Sequence, residues 1–340
     1  MKCCAVCIGD RHLRREVFPF LAVEIGTCSY CLTEDQALLD PSALRDEFTT
    51  VIGIYREDDE GKSLGDWMRQ DWAMFDHPRM DEARVMEILG DILDAGDIMR
   101  RNFSPRKEGT SDALARWKSL RIELMHENRY FPKSGIDLEH LEDLLPHLLL
   151  SAEELPVVWC RARIHAGGGP FLPEEMGAPP RELATNGRAN PAGIPYLYLA
   201  SDPTTAISEL RPDSGDEASV AEFTLRNGLK VIDLAFPRQT VSPFVLADAS
   251  AVEQLRADIG FLEQLGDELT RPVLRRAAAV NYTPSQYLCE SIKKCGFHGV
   301  RYASAVGSGM NLALFRPEHG SVGALSTHRV TRVSIEHENA

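Results

Sequence analysis

The residues best suited to chemistry lie in Gly187–Glu209, GRANPAGIPYLYLASDPTTAISE. A Gly-Arg-x-Asn-Pro-x-Gly loop sets Arg188 and Asn190 among glycines and a proline that constrain the backbone. A guanidinium forks onto phosphate oxygens, and an amide both donates and accepts hydrogen bonds. The loop runs into a short apolar strand, Pro195–Ala200, with two tyrosines, of which Tyr198 is the candidate for stacking or positioning a ligand. A turn at Asp202-Pro203 and a small-residue helix start then present Glu209. A carboxylate just beyond a strand end can bind a ribose hydroxyl or stabilise developing positive charge. A plain surface loop would also explain the glycines and prolines. Two other segments favour chemistry: VVWCRARI, with Arg161 and Arg163, and GVRYASAVGSGMNLALF, with Ser304 and Asn311.

A second constellation opens the chain. Cys4-x2-Cys7 and Cys28-x2-Cys31 are separated by twenty residues, and Cys3 is an alternative to Cys4. Two such pairs suit tetrahedral Zn2+, because each folds a tight knuckle that turns two thiolates onto one ion. Four thiolates close the coordination shell, so the role read here is structural.

Elements must position these groups. From Ser42 to His147 the pattern is mainly helical: a helix from Pro41-Ser42 with Leu44, Phe48, Val51 and Ile52, another over Met80–Met99 that carries Val85, Ile88, Leu89, Ile92 and Leu93, a third over Ser111–His126 and a short one over Ile136–Leu145. Ser151–Pro156 reads as a connector. Beyond it the period changes to alternation. Val157–Ile164 reads as a strand with Arg161 and Arg163 on the face of Trp159; the opposite face, with Cys160 and Ala162, is apolar and expected to meet the core. The arginine face is either a solvent-facing edge or a cleft for an anion. Further on, Ser219–Leu225 and Leu229–Leu234 around Asn227-Gly228 predict a hairpin. Ala247–Thr270 predicts a helix broken near Gly260, and Thr283–Lys294 a helix with proline at its first position. Strands follow at Gly299–Ala303, Asn311–Phe315 and Arg329–His337. His165 and His298 read as isolated, ordinary histidines.

The 340 residues carry 44% hydrophobic and 26% charged side chains and a formal net charge of −14. That balance is an ordinary globular one and argues against a broad nucleic-acid surface. No apolar run reaches the roughly 20 residues of a membrane span, and the start MKCCAVCIGDRH lacks the apolar core of a secretory signal. The expectation is a cytoplasmic protein with metal-bound or free thiols.

Arg161, the Tyr198–Glu209 stretch and Ser304–Asn311 stand in an order that resembles the RES-domain family, named for its arginine, glutamate and serine. The resemblance covers about Leu155–Phe315 and rests on WCRAR, GRANPAG, YLYLASDPTTAISE and GVRYASAVGSGMNLALF. Ala189 departs from the pattern, since the family often has an aromatic residue there. The resemblance implies an α+β domain over 151–340, similar to the ADP-ribosyltransferase fold. It implies an NAD+-degrading enzyme, acting by phosphorolysis with inorganic phosphate or by hydrolysis, often the toxin of a toxin–antitoxin pair. On that basis Arg161, Tyr198, Glu209 and Ser304 are the catalytic candidates, and Arg188, Asn190 and Asn311 the substrate-binding ones. Tyr198 could instead be a core aromatic, Glu209 could pair with Arg211, and Ser304 could merely start a turn. An antitoxin protein is the expected partner, and a homo-oligomer is compatible with the sequence.

The N-terminal part, a Cys4 segment over 1–41 and helices over 42–150, resembles the HEPN-like domain found ahead of some RES domains. Its Arg121-x4-His126 resembles the HEPN RNase motif, which gives an alternative function as an RNase or partner-binding module. A second alternative keeps the C-terminal cleft but transfers ADP-ribose to a macromolecule.

Overall fold

The computed structural model describes residues 1–106, 111–165 and 167–334. These form two compact units: Met1–Leu114 with Pro237–Leu262, and Ala115–Phe236 with Glu263–Ala340. The division differs from the expected boundaries at 41 and 150, because a segment from the C-terminal half belongs with the N-terminal one. Buried acids explain that grouping. Asp10 Oδ1 accepts from the Leu13 backbone N–H at 2.9 Å and from Ser242 Oγ at 3.0 Å. Asp71 Oδ2 accepts from Tyr55 Oη at 2.8 Å and from Arg256 Nε at 2.6 Å. A buried carboxylate left without such partners would be costly, so the bonds from Ser242 and Arg256 fix the 237–262 segment to the N-terminal chain.

In the first unit, β1 (Cys3–Cys4), β2 (Glu24–Gly26) and β3 (Gln36–Leu39) form a small sheet in the order β1-β3-β2. The expected helices appear as Arg45–Ile52 and Glu82–Leu93, with Phe48, Val51, Val85, Ile88, Leu89 and Ile92 buried. The second starts on a cap, Asp81 accepting from Arg84 N–H, whereas the first continues from the short turn Pro41–Leu44, which Asp40 caps by accepting from Ser42 N–H. Neither the small sheet nor the pairing of β4 (Tyr55–Lys62) with β5 (Phe103–Pro105) is expected from the sequence. The β4 sequence YREDDEGK has no apolar alternation to signal a strand.

The second unit carries an eight-stranded sheet. Its strands are β6 (Leu149–Leu150), β7 (Trp159–Ile164), β8 (Leu197–Ala200), β9 (Glu217–Leu225), β10 (Val231–Asp233), β11 (Gly299–Ala303), β12 (Met310–Leu314) and β13 (Gly320–Arg329), in the order β13-β9-β7-β8-β12-β11-β10-β6. Neighbours are antiparallel except β10 and β11. The arrangement is a mixed α+β one, and no helix among the described residues is long and apolar enough to cross a membrane.

Four expectations are corrected. β9 and β10 are not a hairpin: the chain turns at Gly228, but β10 crosses to the far side of the sheet, where all three of its residues are buried beside β11. The Ala249–Thr270 helix runs unbroken through Gly260, where an added Cβ would meet only ordinary contact. The last strand is Gly320–Arg329 rather than Arg329–His337, and residues 335–337 lie outside the described residues. Finally, the main core lies on the Trp159 face of β7, where Trp159 packs with Leu197, Leu199, Phe223, Leu312 and Leu314. Burial of each such side chain contributes about 1.5–3 kcal/mol. The opposite face holds small residues, Cys160, Ala162, Ala200 and Val220, against Ala206 of the Pro203–Ser208 helix. Small side chains leave room there.

Candidate functional site

That room is a cavity of about 420 Å³, lined among others by Cys160, Ala162, Ala200, Arg161, Arg188, Tyr198, Glu209, Tyr302 and Asn311. Strand register explains the membership. Asn311 pairs with Ala200 and with Tyr302, and Tyr198 pairs with Ala313, so Tyr198, Asn311 and Tyr302 share the face of Ala200 and Cys160.

Arg161 belongs by register to the other face, opposite Ala221. It reaches the cavity because β7 and β8 pair at a single position, Cys160–Ala200. Beyond that rung Arg161 Nη1 donates to the Tyr198 carbonyl at 2.9 Å, taking up an acceptor that a continued ladder would have used. Its Nε is buried without a hydrogen bond, and it has no carboxylate partner among the described residues. Burial, then the nearby Arg163, lowers its pKa to about 10, so it remains a cation at neutral pH. Arg163 lies outside the cavity lining: its Nη2 donates to the Gly177 carbonyl and its guanidinium lies 5.7 Å from the Phe171 ring centroid.

Glu209 follows the Pro203–Ser208 helix directly. Asp202 caps that helix, accepting from Thr205 N–H at 2.8 Å and Thr205 Oγ1 at 2.6 Å, and also accepts from Ser201 Oγ at 2.9 Å. Ser201 Oγ in turn accepts from Met310 N–H at 3.0 Å, which ties the Ser304–Met310 turn to the cap. Gly309 makes the approach feasible: a Cβ there would stand 2.1 Å from Thr205 Oγ1 and 2.6 Å from Asp202 Oδ2. The tie delivers Ser304 and Asn311 to the carboxylate. Ser304 Oγ donates to Glu209 Oε1 at 2.7 Å, and Asn311 Nδ2 donates to the same oxygen at 2.5 Å. Oε2 makes no hydrogen bond among the described residues, and Glu209 is exposed to the cavity. Glu209 therefore takes its partners from β12 and the preceding turn, with no ion pair to Arg211 among the described residues.

The GRANPAG loop is held from both sides. Tyr198 Oη accepts from Ala189 N–H at 2.9 Å and donates to Asn190 Oδ1 at 2.6 Å. Asn190 Nδ2 donates to the carbonyls of Thr185, Pro191 and Ile194. Asn190 is thus spent on the loop and does not line the cavity, unlike the substrate-binding role expected for it. The Tyr198 hydroxyl is likewise engaged, and burial pushes its pKa up; only its ring is offered to a ligand. Gly187 is required, since a Cβ would lie 2.2 Å from Asn190 Oδ1. From the Thr283–Lys294 helix, Ser285 Oγ donates to the Arg188 carbonyl at 2.6 Å and Gln286 Nε2 to that of Gly187 at 2.8 Å. Ala189, where an aromatic was the family expectation, is fully buried under this loop.

Arg188 lines the cavity with its guanidinium 5.2 Å from the Tyr282 ring centroid, and its Nη1 donates to the Arg271 carbonyl at 2.7 Å. Arg271 is held by the buried Glu268, whose Oε1 lies 2.8 Å from Arg121 Nε. Arg121 thus has a structural partner in the same unit. His126 is five positions further along the same helix, about 140° around its axis, so the two side chains leave on different sides. Tyr282 and Tyr302 were missed from the sequence. Tyr302 was findable, being two residues before Ser304 and therefore on the alternating face that meets Asn311; Tyr282 had no signal.

In the first unit, the Sγ atoms of Cys4, Cys7, Cys28 and Cys31 are buried and lie within 4.8 Å of one another. A Zn–S bond of about 2.3 Å implies sulfurs about 3.8 Å apart in a tetrahedron, so the set fits a metal ion. Cys3 is outside it, turned by strand alternation away from Cys4.

Compared with known proteins, residues 161–334, just over half the chain, match the model of the RES domain. No curated protein matches. Among solved structures, the chain is similar to one from the crystal structure of the M. tuberculosis MbcT–MbcA toxin–antitoxin complex, at 15% identity and a TM-score of 0.32, over 56% of this chain and 93% of that one. With the arginine, glutamate and serine of its motifs gathered at one cleft of the sheet, the chain belongs to the RES-domain family.

Proposed function

We propose that this protein degrades NAD+ by breaking the nicotinamide–ribose bond, as a phosphorylase or a glycohydrolase. The observation that carries the proposal is Glu209, a carboxylate fixed at one oxygen by Ser304 and Asn311 in a cavity that also presents two guanidinium groups. Cleavage builds oxocarbenium character on the ribose. A preorganised carboxylate stabilises that charge without reorganising, and its second oxygen accepts from a ribose hydroxyl. The C1′–N bond breaks with its electron pair passing to the cationic ring, which leaves as neutral nicotinamide and requires no strong general acid. The new bond forms from C1′ to an oxygen of phosphate or water. Arg161 and Arg188 hold the pyrophosphate, or the incoming phosphate, and having no carboxylate partner among the described residues suits them to an anionic ligand. The rings of Tyr198, Tyr282 and Tyr302 supply walls for the nicotinamide ribose.

The chain's own Cys4, Cys7, Cys28 and Cys31 would hold Zn2+ as a structural ion, which supplies folding energy to the short elements around it. An enzyme that drains NAD+ harms its host, so the reading extends to a toxin restrained by an antitoxin protein in the cytoplasm. RES-family membership supports that extension. ADP-ribosyl transfer would use the same carboxylate with a macromolecular acceptor.

The test is NAD+ consumption by the purified chain, with and without inorganic phosphate, with products resolved by mass. Nicotinamide with an ADP-ribose phosphate product is expected from phosphorolysis, and nicotinamide with ADP-ribose from hydrolysis. Label from NAD+ appearing on protein or nucleic acid would move the assignment to transfer. No consumption in any condition would refute it.

A further inference from the structure

A second cavity, of about 380 Å³, lies in the same unit and shares no residue with the first. β12 carries Asn311 into the cleft at one end and leads at the other into Phe315 and Arg316, about 13 Å further on. There the cavity is bounded by Arg226 in the turn after β9, by Lys293, Phe297 and His298 at the close of the Thr283–Lys294 helix, and by Arg316 and His319. Lys230 adds a further cation beside His298, and Glu318 is the acid next to His319. In a chain of net charge −14 this concentration of positive groups is anomalous.

The walls are tied together by hydrogen bonds. His298 and Lys230 exchange backbone and ring contacts: His298 N–H donates to the Lys230 carbonyl at 2.8 Å, and Lys230 N–H donates to His298 Nδ1 at 2.8 Å. That acceptor role leaves the ring proton on Nε2. Arg226 N–H donates to the His319 carbonyl at 2.9 Å, and Phe315 N–H to that of His298 at 3.0 Å. The His298 and His319 rings meet edge to face, 5.2 Å between centroids, so His298 is not the isolated residue its sequence suggested. His319 is 7% exposed, and its Nδ1 is buried with no hydrogen-bond partner among the described residues. The side chains of Arg226 and Arg316 make no ion pair among the described residues. Burial, with the neighbouring cations, lowers the pKa of both histidines, so both are neutral at pH 7.

We propose that this cavity is a second binding site, for the phosphate group of a small molecule or for inorganic phosphate itself. A predominance of donors converging from separate segments on one cavity favours a compact multivalent anion over an extended peptide. Two guanidinium groups match phosphate oxygens, and the neutral histidines add N–H donors.

The experiment is calorimetric titration of the full chain with inorganic phosphate, pyrophosphate and ribose 5-phosphate at fixed ionic strength. It is run on the wild type, on Arg226→Gln/Arg316→Gln and on the cleft variant Arg188→Gln. Saturable binding is expected to weaken at least about tenfold in the first variant and to persist in the second. Preference among the three anions identifies the source of the phosphate. Both substituted arginines of the double variant are exposed, so its melting temperature and NAD+ turnover should match the wild type. Absence of saturable binding, or binding lost in Arg188→Gln and kept in Arg226→Gln/Arg316→Gln, would overturn the proposal. Failure of NAD+ consumption would leave it standing, because the two cavities are independent.

Discussion

Substituting Glu209 by glutamine is the sharpest probe of the cleft. Glutamine keeps the size and an oxygen that can accept from Ser304 and Asn311, but it removes the charge. Because Glu209 is exposed, stability should change by no more than about 0.5 kcal/mol. Loss of a fixed electrostatic partner of the transition state costs about 2.7–4 kcal/mol, a fall of roughly 10² to 10³ in kcat. The anchors set a second, smaller scale. Ser304 contributes one of two hydrogen bonds to Oε1, and its truncation to alanine should cost about 0.5–1.5 kcal/mol, a few-fold to about tenfold. If Ser304 acts through Glu209, Ser304→Ala should cost nothing further in a Glu209→Ala background. The assay is nicotinamide release from NAD+ followed chromatographically, beside thermal melts of each variant. A folded Glu209→Gln enzyme within about threefold of wild-type turnover would remove the carboxylate from the mechanism. Equal effects of Ser304→Ala in both backgrounds would remove the positioning role.

Gly309→Ala should destabilise by about 1–3 kcal/mol and reduce turnover, since its Cβ would stand 2.1 Å from Thr205 Oγ1; an unchanged urea midpoint would show the contact to be soft. Glu268→Gln leaves Arg121 and Arg271 without their buried partner and should cost about 3–5 kcal/mol in urea unfolding, with weaker NAD+ binding through Arg188; a loss below about 1 kcal/mol would contradict this. Asp202 titrates low in the folded chain: burial raises its pKa, but the hydroxyl and N–H of Thr205 and the hydroxyl of Ser201 outweigh it. Its stabilisation is therefore present above the unfolded value of about 3.9 and lost as pH falls through the lower folded value, so the stability gap between wild type and Asp202→Asn should narrow below about pH 4 and stay level above pH 5. Elemental analysis should find one zinc per chain, and Cys28→Ser should lose both the metal and several degrees of melting temperature; metal-free protein with an unchanged melt would refute the zinc assignment.

Much of the cleft was legible because its groups sit in short segments whose order survives folding. Arg161, Glu209 and Ser304 are carried by a strand, a helix end and a turn, each with its own local signature. The Asn190 role was not legible, since an amide beside glycines is equally suited to a ligand and to neighbouring carbonyls. Only the positions of Thr185, Pro191 and Ile194 decide it. The β9–β10 connection was misread for a related reason: Asn227-Gly228 specifies a reversal, while partner choice depends on the distant Gly299–Ala303. Tyr282 and the pairing of β4 with β5 left no periodic trace. The membership of 237–262 in the first unit rests on buried Asp10 and Asp71, contacts made across more than a hundred residues of chain.

The single rung between β7 and β8 has a mechanical consequence. The sheet has eight strands, but its hydrogen-bond continuity is that of three strands, β13-β9-β7, sewn at one point to five, β8-β12-β11-β10-β6. Beyond that rung a side chain takes the place of the ladder, Arg161 Nη1 bridging from β7 to the Tyr198 carbonyl of β8. The gap beside the cavity is thus also a line of weakness through the sheet, crossed among the described residues by a single backbone rung and a guanidinium.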